Sequence, residues 1–109
     1  MAYGMALTAL ADPTRRAVFE RLRGGPVSVT DIAADLPVSR PAVSQHLKVL
    51  KEAGLVRDEA DGARRLYEVD PRGIEELRDW LDLFWDDALE AFKAAAERAA
   101  KRKSRKTKR

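Results

Sequence analysis

The chain has 109 residues, 45% of them hydrophobic, which is enough for one small core and too little for a multidomain enzyme. It has no cysteine, which excludes disulfides, Cys-ligated zinc, iron–sulfur clusters and thiol redox chemistry, and its single histidine, His46, leaves little for imidazole catalysis or metal binding. The formal net charge of +3 is unevenly spread: Lys101–Arg109 carries seven positive charges and no negative ones, and residues 1–100 hold 14 basic against 18 acidic residues, a net charge of −4.

No apolar run approaches the roughly 18 residues of a membrane span, and no charged segment followed by an apolar one opens the chain, so a cytoplasmic protein is expected. Residues 5–11 are helix formers ending at Asp12-Pro13, where Asp12 suits an N-cap and Pro13 the first position of a new helix. That second helix is expected to run to Arg23 and stop at Gly24-Gly25-Pro26, with Val18, Phe19 and Leu22 inward. Val27 begins a short extended connection. Ser28, three residues before Asp31, opens a short helix bearing Ile32, Ala33 and Leu36, which Pro37 ends.

Ser39 then caps a further helix, residues 39–53, with Arg40 and Pro41 in its first turn and Gly54 as its stop. Val43, Leu47 and Leu50 share one narrow face, while Pro41, Gln45, Lys48 and Glu52 lie roughly opposite and Ser44 flanks them. Strands are expected over Leu55–Glu59 and Arg64–Val69, within a wing of residues 55–69, joined by Ala60-Asp61-Gly62-Ala63 with Asp-Gly as the hairpin signal.

From Pro71 to about residue 100 the pattern is that of one long helix. Its apolar positions Ile74, Leu77, Leu81, Phe84, Ala88, Ala91 and Ala95 are widened by Trp80, Trp85, Leu89 and Phe92 into a face too broad for one small domain to cover. Residues 101–109 are expected to form a disordered basic tail, because like charges packed so densely repel.

Helix, short turn, helix and hairpin is the layout of a winged helix-turn-helix, which presents one helix to the DNA major groove with a β-ribbon beside it. The fold class expected is therefore mainly α with a small β-hairpin, a winged helix-turn-helix with N- and C-terminal dimerisation helices. A base-reading side chain must project from the exposed face near the N-terminal half of such a helix and offer donors or acceptors, as Arg40, Ser44 and Gln45 do. Ser39 and Pro41 border this face. Lys48 and Lys51 are placed to meet phosphates, and His46, toward the edge of the buried face, reads as a structural or phosphate-facing hydrogen-bond donor.

Asp12-Pro13-Thr14-Arg15-Arg16, Ser39 to Leu50, Ala53-Gly54-Leu55-Val56 and Gly62 to Tyr67 resemble the corresponding segments of the ArsR/SmtB-type bacterial repressors, over about residues 5–95. The segment Ser39-Arg40-Pro41-Ala42-Val43-Ser44-Gln45-His46-Leu47 is the most specific part. The resemblance implies a homodimeric repressor of a palindromic operator in double-stranded DNA, its own promoter among the candidate targets, with Arg64 and Arg65 as wing arginines on phosphate or in the minor groove. Dimer contacts are expected from Leu7 and Leu10 of the first helix and from Leu77, Trp80, Leu81, Phe84, Trp85, Ala88 and Phe92 of the last.

Metal-sensing relatives place cysteines in the helix before the recognition helix, or His and Asp ligands along the C-terminal helix. This chain has neither the cysteines nor a histidine on its long helix, and Asp79, Asp82, Asp86, Asp87 and Glu90 read as a solvated charged face, so no metal and no cofactor are expected. Trp80, Phe84, Trp85 and Phe92 have the spacing of packing residues rather than of a ligand pocket, and no pattern assigns a small-molecule effector. Neither a nucleophile–base pair nor a glycine-rich phosphate loop can be assembled, so no enzyme is expected. The alternative function is a protein-interaction module working through the long amphipathic helix, which the acidity of residues 1–100 favours; a third is an architectural nucleic-acid binder working through the basic tail.

Overall fold

The computed structural model describes residues 2–107, and side chains over residues 4–104. The elements in order are α1 (Ala2–Ala11), α2 (Pro13–Glu20), β1 (Val27–Ser28), α3 (Val29–Asp35), α4 (Arg40–Glu52), β2 (Val56–Asp61), β3 (Arg64–Val69) and α5 (Pro71–Thr107). This is a winged helix-turn-helix: α3 and α4 are joined by the four residues Leu36–Ser39, and β2 and β3 form the wing.

Three helix starts follow directly from cap chemistry. The side chain of Asp12 accepts from Arg15 N at 2.9 Å, that of Ser28 from Asp31 N at 3.2 Å and that of Ser39 from Ala42 N at 3.3 Å, each satisfying an amide that the first helical turn leaves unpaired. At the end of α4, Gly54 takes φ 80°, and the amides of Gly54 and Leu55 donate to Lys51 O and Leu50 O, both at 3.0 Å. That pairing is a Schellman motif, and it turns the chain from α4 into the wing.

Four expectations need correction. First, α2 ends at Glu20 and not at Arg23. The segment after it closes with tighter bonds, Leu22 N to Phe19 O at 3.0 Å and Arg23 N to Glu20 O at 3.2 Å, before Gly25 leaves at φ 122°. Second, Val27 and Ser28 do more than extend the chain: they pair antiparallel with Tyr67 and Leu66, so the sheet has three strands in the order β1-β3-β2.

Third, the wing turn is shorter than expected. Asp61 pairs with Arg64, so only Gly62 and Ala63 form the loop. Gly62 has φ 63° and, among the described residues, no non-glycine residue has positive φ, the pattern of a type II′ turn with glycine at its first central position. Fourth, α5 runs seven residues past residue 100, and Lys101–Thr107 are helical where a disordered tail was expected. Lys and Arg are good helix formers, they follow the alanine-rich segment 94–100, and positive charge near a helix C-terminus is favoured by the helix dipole. Lys108 and Arg109 lie outside the described residues.

The chain divides after Leu77 into two compact units. In the first, Val18, Leu22, Ile32, Val43, Leu47, Leu50, Leu55 and Val56 are fully buried and form the core with Ala6, Ala9 and Ala53. Asp70 is buried and caps the start of α5: its amide donates to Leu55 O at 2.8 Å and its Oδ1 accepts from Arg72 N at 3.0 Å. Gly73, in the first turn of α5, lies against the Gly54 carbonyl oxygen so closely that a Cβ there would overlap it. The second unit is the remainder of α5, a helix whose Leu81, Leu83, Phe84, Trp85, Leu89 and Phe92 are exposed in the single chain.

Candidate nucleic-acid interface

The two faces of α4 separate as its sequence pattern requires. Val43, Leu47 and Leu50 are fully buried, and Ser39, Arg40, Pro41, Ser44, Gln45, Lys48 and Lys51 are exposed. The buried face anchors the helix on the core of the first unit, so the outer face is held in a fixed orientation. Ser39 spends its side-chain oxygen on the Ala42 amide, which makes it the residue that starts the helix rather than a free reader.

His46 is half-buried, as its place at the edge of the core face implies. Asp12, the cap of α2, has its carboxyl held below the ordinary carboxylate range chiefly by the hydrogen bond from the Arg15 backbone.

The cations differ sharply in how they are occupied. Among the described residues, Arg40 and Lys48 have no ion-pair partner, whereas Lys51, Arg57, Arg64 and Arg65 are all paired. Lys51 Nζ lies 2.6 Å from Asp58 Oδ1, and Arg65 Nε lies 2.7 Å from Asp58 Oδ2. Arg64 Nε is 3.5 Å from Asp61 Oδ2, and Arg57 Nε is 2.8 Å from Glu68 Oε1 on the facing strand. The Lys51 ammonium, and after it the Arg65 guanidinium, hold the Asp58 carboxyl below the usual carboxylate range against the opposing effect of its burial.

Charge is consequently asymmetric across the surface. The helix α4 carries Arg40, Lys48 and Lys51 against Glu52, whereas the segment 56–69 carries Arg57, Arg64 and Arg65 against Asp58, Glu59, Asp61 and Glu68. The positive, donor-rich surface is the outer face of α4, and the wing beside it is a set of cross-strand ion pairs. Such a face offers guanidinium, hydroxyl, amide and ammonium groups to a polyanion with base edges.

Asp58 is the residue whose role sequence reasoning missed. The acidic residues of the hairpin are visible in the sequence, but which one lies under Lys51 and Arg65 depends on the strand register, and the register depends on the two-residue turn. Of the residues expected at a dimer interface, Leu7, Leu81, Phe84, Trp85, Ala88 and Phe92 are exposed, whereas Leu10, Leu77 and Trp80 are half-buried. The ring of Trp80 meets that of Phe84 edge to face, with centroids 4.9 Å apart.

Comparison with known proteins agrees with this geometry. A helix-turn-helix domain family model matches residues 10–59. The HTH-type transcriptional regulator Rv2034 of Mycobacterium tuberculosis is 60% identical over 87 residues, covering 80% of this chain and 81% of the relative. The transcriptional repressor SdpR of Bacillus subtilis is 33% identical over 73 residues, covering 67% of this chain and 81% of the relative. A solution structure of the homodimeric winged helix-turn-helix DNA-binding domain of a possible ArsR-family transcriptional regulator from Mycobacterium bovis superposes with a TM-score of 0.64. It is 26% identical, and the match covers 82% of each chain.

The chain belongs to the ArsR/SmtB-type winged helix-turn-helix transcriptional regulators. Membership of a transcription-regulator family favours DNA binding over the protein-interaction reading.

Proposed function

We propose that this regulator is a cytoplasmic homodimeric repressor, without a catalytic step, that binds an inverted repeat in double-stranded DNA and represses by occupying a promoter, its own among the candidates. In this reading α4 is the recognition helix. Arg40, Ser44 and Gln45 read base edges in the major groove, Lys48 engages phosphate, and Ser39, Pro41 and His46 set the start and seating of the helix. Lys51 lies at the phosphate-facing end of α4, and Arg64 and Arg65 border the adjacent backbone from the wing.

The observation that carries the proposal is the clean division of α4 between a fully buried face and an outer face free of acidic residues except Glu52. Homodimerisation is supported by the exposed Leu81, Phe84, Trp85, Leu89 and Phe92 of α5, a larger apolar display than an isolated helix sustains in water, and by the homodimeric state of the Mycobacterium bovis relative. Two-fold symmetry of the protein then requires two half-sites about one helical turn apart.

The metal-independent character proposed here rests on donor chemistry, because the cysteines and α5 histidines that serve metal-sensing relatives have no counterparts in the sequence. Repeated selection of duplexes from a random-sequence pool tests the reading. It is supported by an enriched inverted repeat and contradicted by a pool that stays random.

A further inference from the structure

Asp58 is the most enclosed charged side chain of the wing, with 7% of its side chain exposed, while the Lys51 and Arg65 side chains that flank it are each 54% exposed. Each carboxylate oxygen is used once, Oδ1 by the ammonium at 2.6 Å and Oδ2 by the guanidinium at 2.7 Å. These are charge-assisted bonds of the strong kind. One carboxylate on β2 thus ties the last turn of α4 to β3, and both cations present their outer sides to solvent.

We propose that Asp58 is a positioning residue for DNA recognition: it fastens the C-terminal end of α4 to the wing and occupies Lys51 and Arg65 in place of DNA phosphates, which favours sequence discrimination over indiscriminate binding. This rests on the reading of α4 and the wing as the DNA-binding surface. Binding to arbitrary DNA is driven by release of counterions, in proportion to the phosphates that free cations neutralise. Two cations sharing one carboxylate contribute a net single charge, so the protein's hold on arbitrary phosphates is weakened. The base-reading atoms of Arg40, Ser44 and Gln45 lie toward the other end of α4 and are untouched, and the wing they work beside is held in one position.

Asp58→Asn keeps the shape of the side chain and removes its charge. The neutral amide can accept from one of the cations, but its NH2 group donates and would face the other, so at least one tether opens. The test uses fluorescence anisotropy with a duplex enriched from a random pool by the wild-type protein, and a scrambled duplex of equal length. Asp58→Asn is expected to steepen the slope of log K against log salt on the scrambled duplex by about 1 to 2 per protomer, at roughly 0.9 for each phosphate engaged. The ratio of enriched to scrambled affinity should fall as well, because opening the tether frees the C-terminal end of α4 from the wing beside it, and an unchanged ratio would contradict the positioning role.

Glu59→Gln, which removes one charge from the next residue of the same strand, is the control and should change the slope by less than half as much. Lys51→Gln should weaken scrambled-duplex binding more in the Asp58→Asn background than in the wild type, because only there is the ammonium released. Equal slopes for Asp58→Asn and Glu59→Gln, or additive effects of Lys51→Gln, would overturn the proposal.

The wild-type protein alone supplies a further check that survives misfolding of a variant. The Arg65 Nε–H proton should exchange with water more slowly than that of Arg40, and equal exchange rates would contradict the clasp. If the wild type showed no preference for the enriched duplex, the DNA-recognition reading itself would fail, whatever Asp58 does.

Discussion

At the residue scale, base reading and backbone holding are proposed for different side chains. Gln45 and Arg40 are exposed and, among the described residues, have no carboxylate partner, so their donors are open to base edges, where a bidentate contact discriminates by about 1–3 kcal/mol. Gln45→Ala and Arg40→Ala should each lose about that much on the cognate duplex with little change on scrambled DNA, whereas Lys48→Ala should weaken both about equally. Anisotropy titrations on the two duplexes distinguish these outcomes, and equal losses for Gln45→Ala would move the reading face elsewhere on α4.

Gly73 gives a prediction of a different kind. A methyl group there would overlap the Gly54 carbonyl oxygen, a backbone atom fixed by the cap that ends α4, and neither partner can rotate away. Gly73→Ala should therefore destabilise the protein by about 1–3 kcal/mol, the usual range for forced overpacking. Replacing a mid-helix glycine by alanine ordinarily favours a helix. An unchanged or raised urea midpoint would show that the α5 start can shift at no cost.

At the scale of elements, what was legible in the sequence was whatever depends on neighbours along the chain. Asp12, Ser28 and Ser39 announce helix starts because a cap involves only three or four successive residues, and the apolar spacing of Val43, Leu47 and Leu50 identifies the buried face of α4. The third strand was hidden because Val27 and Ser28 acquire strand character only from Tyr67 and Leu66, some 40 residues later. The wing is legible, but its loop is Gly62-Ala63 rather than the four residues 60–63, since Asp-Gly reads equally as a turn pair or as a last strand residue followed by a glycine turn. The end of α5 is not legible in the same way, because repulsion among the basic residues and their helix propensity oppose each other there.

The exposed apolar residues of α5 carry the prediction at this scale. Phe92 is 74% exposed in the single chain, so replacing it leaves the core of the first unit intact. Phe92→Asp should weaken the homodimer by at least about 2 kcal/mol, as for a buried aromatic at an interface centre. Sedimentation equilibrium at micromolar concentration should show the wild type as a dimer and the variant shifted toward monomer. A wild-type monomer would remove the basis for an inverted-repeat site.

At the scale of the whole molecule, the outstanding feature is the contrast between the net −4 of residues 1–100 and the seven positive charges that follow. Lys101, Arg102 and Lys103 follow one another at about 100° around the helix, so one approaching DNA strand meets only a fraction of them. Deleting residues 101–109 should lower the salt slope by about 2 to 4 per chain, against the roughly 6 that full engagement of seven charges would give. Affinity should fall on cognate and scrambled DNA alike, because phosphates carry no sequence information. An unchanged slope would make the basic segment a bystander, and a lost operator preference would put base reading within it.

The central claim is that α4, held by its buried face and presented in two copies, reads sequence. The most direct measurement is the ratio of wild-type affinities for the enriched duplex and its scrambled counterpart at one fixed salt concentration, with the stoichiometry of the enriched complex determined alongside. A preference of about a thousandfold or more, as specific DNA-binding proteins show, and two chains per duplex are expected. A preference below about tenfold, or one chain per duplex, falls short of that specific range and would contradict it.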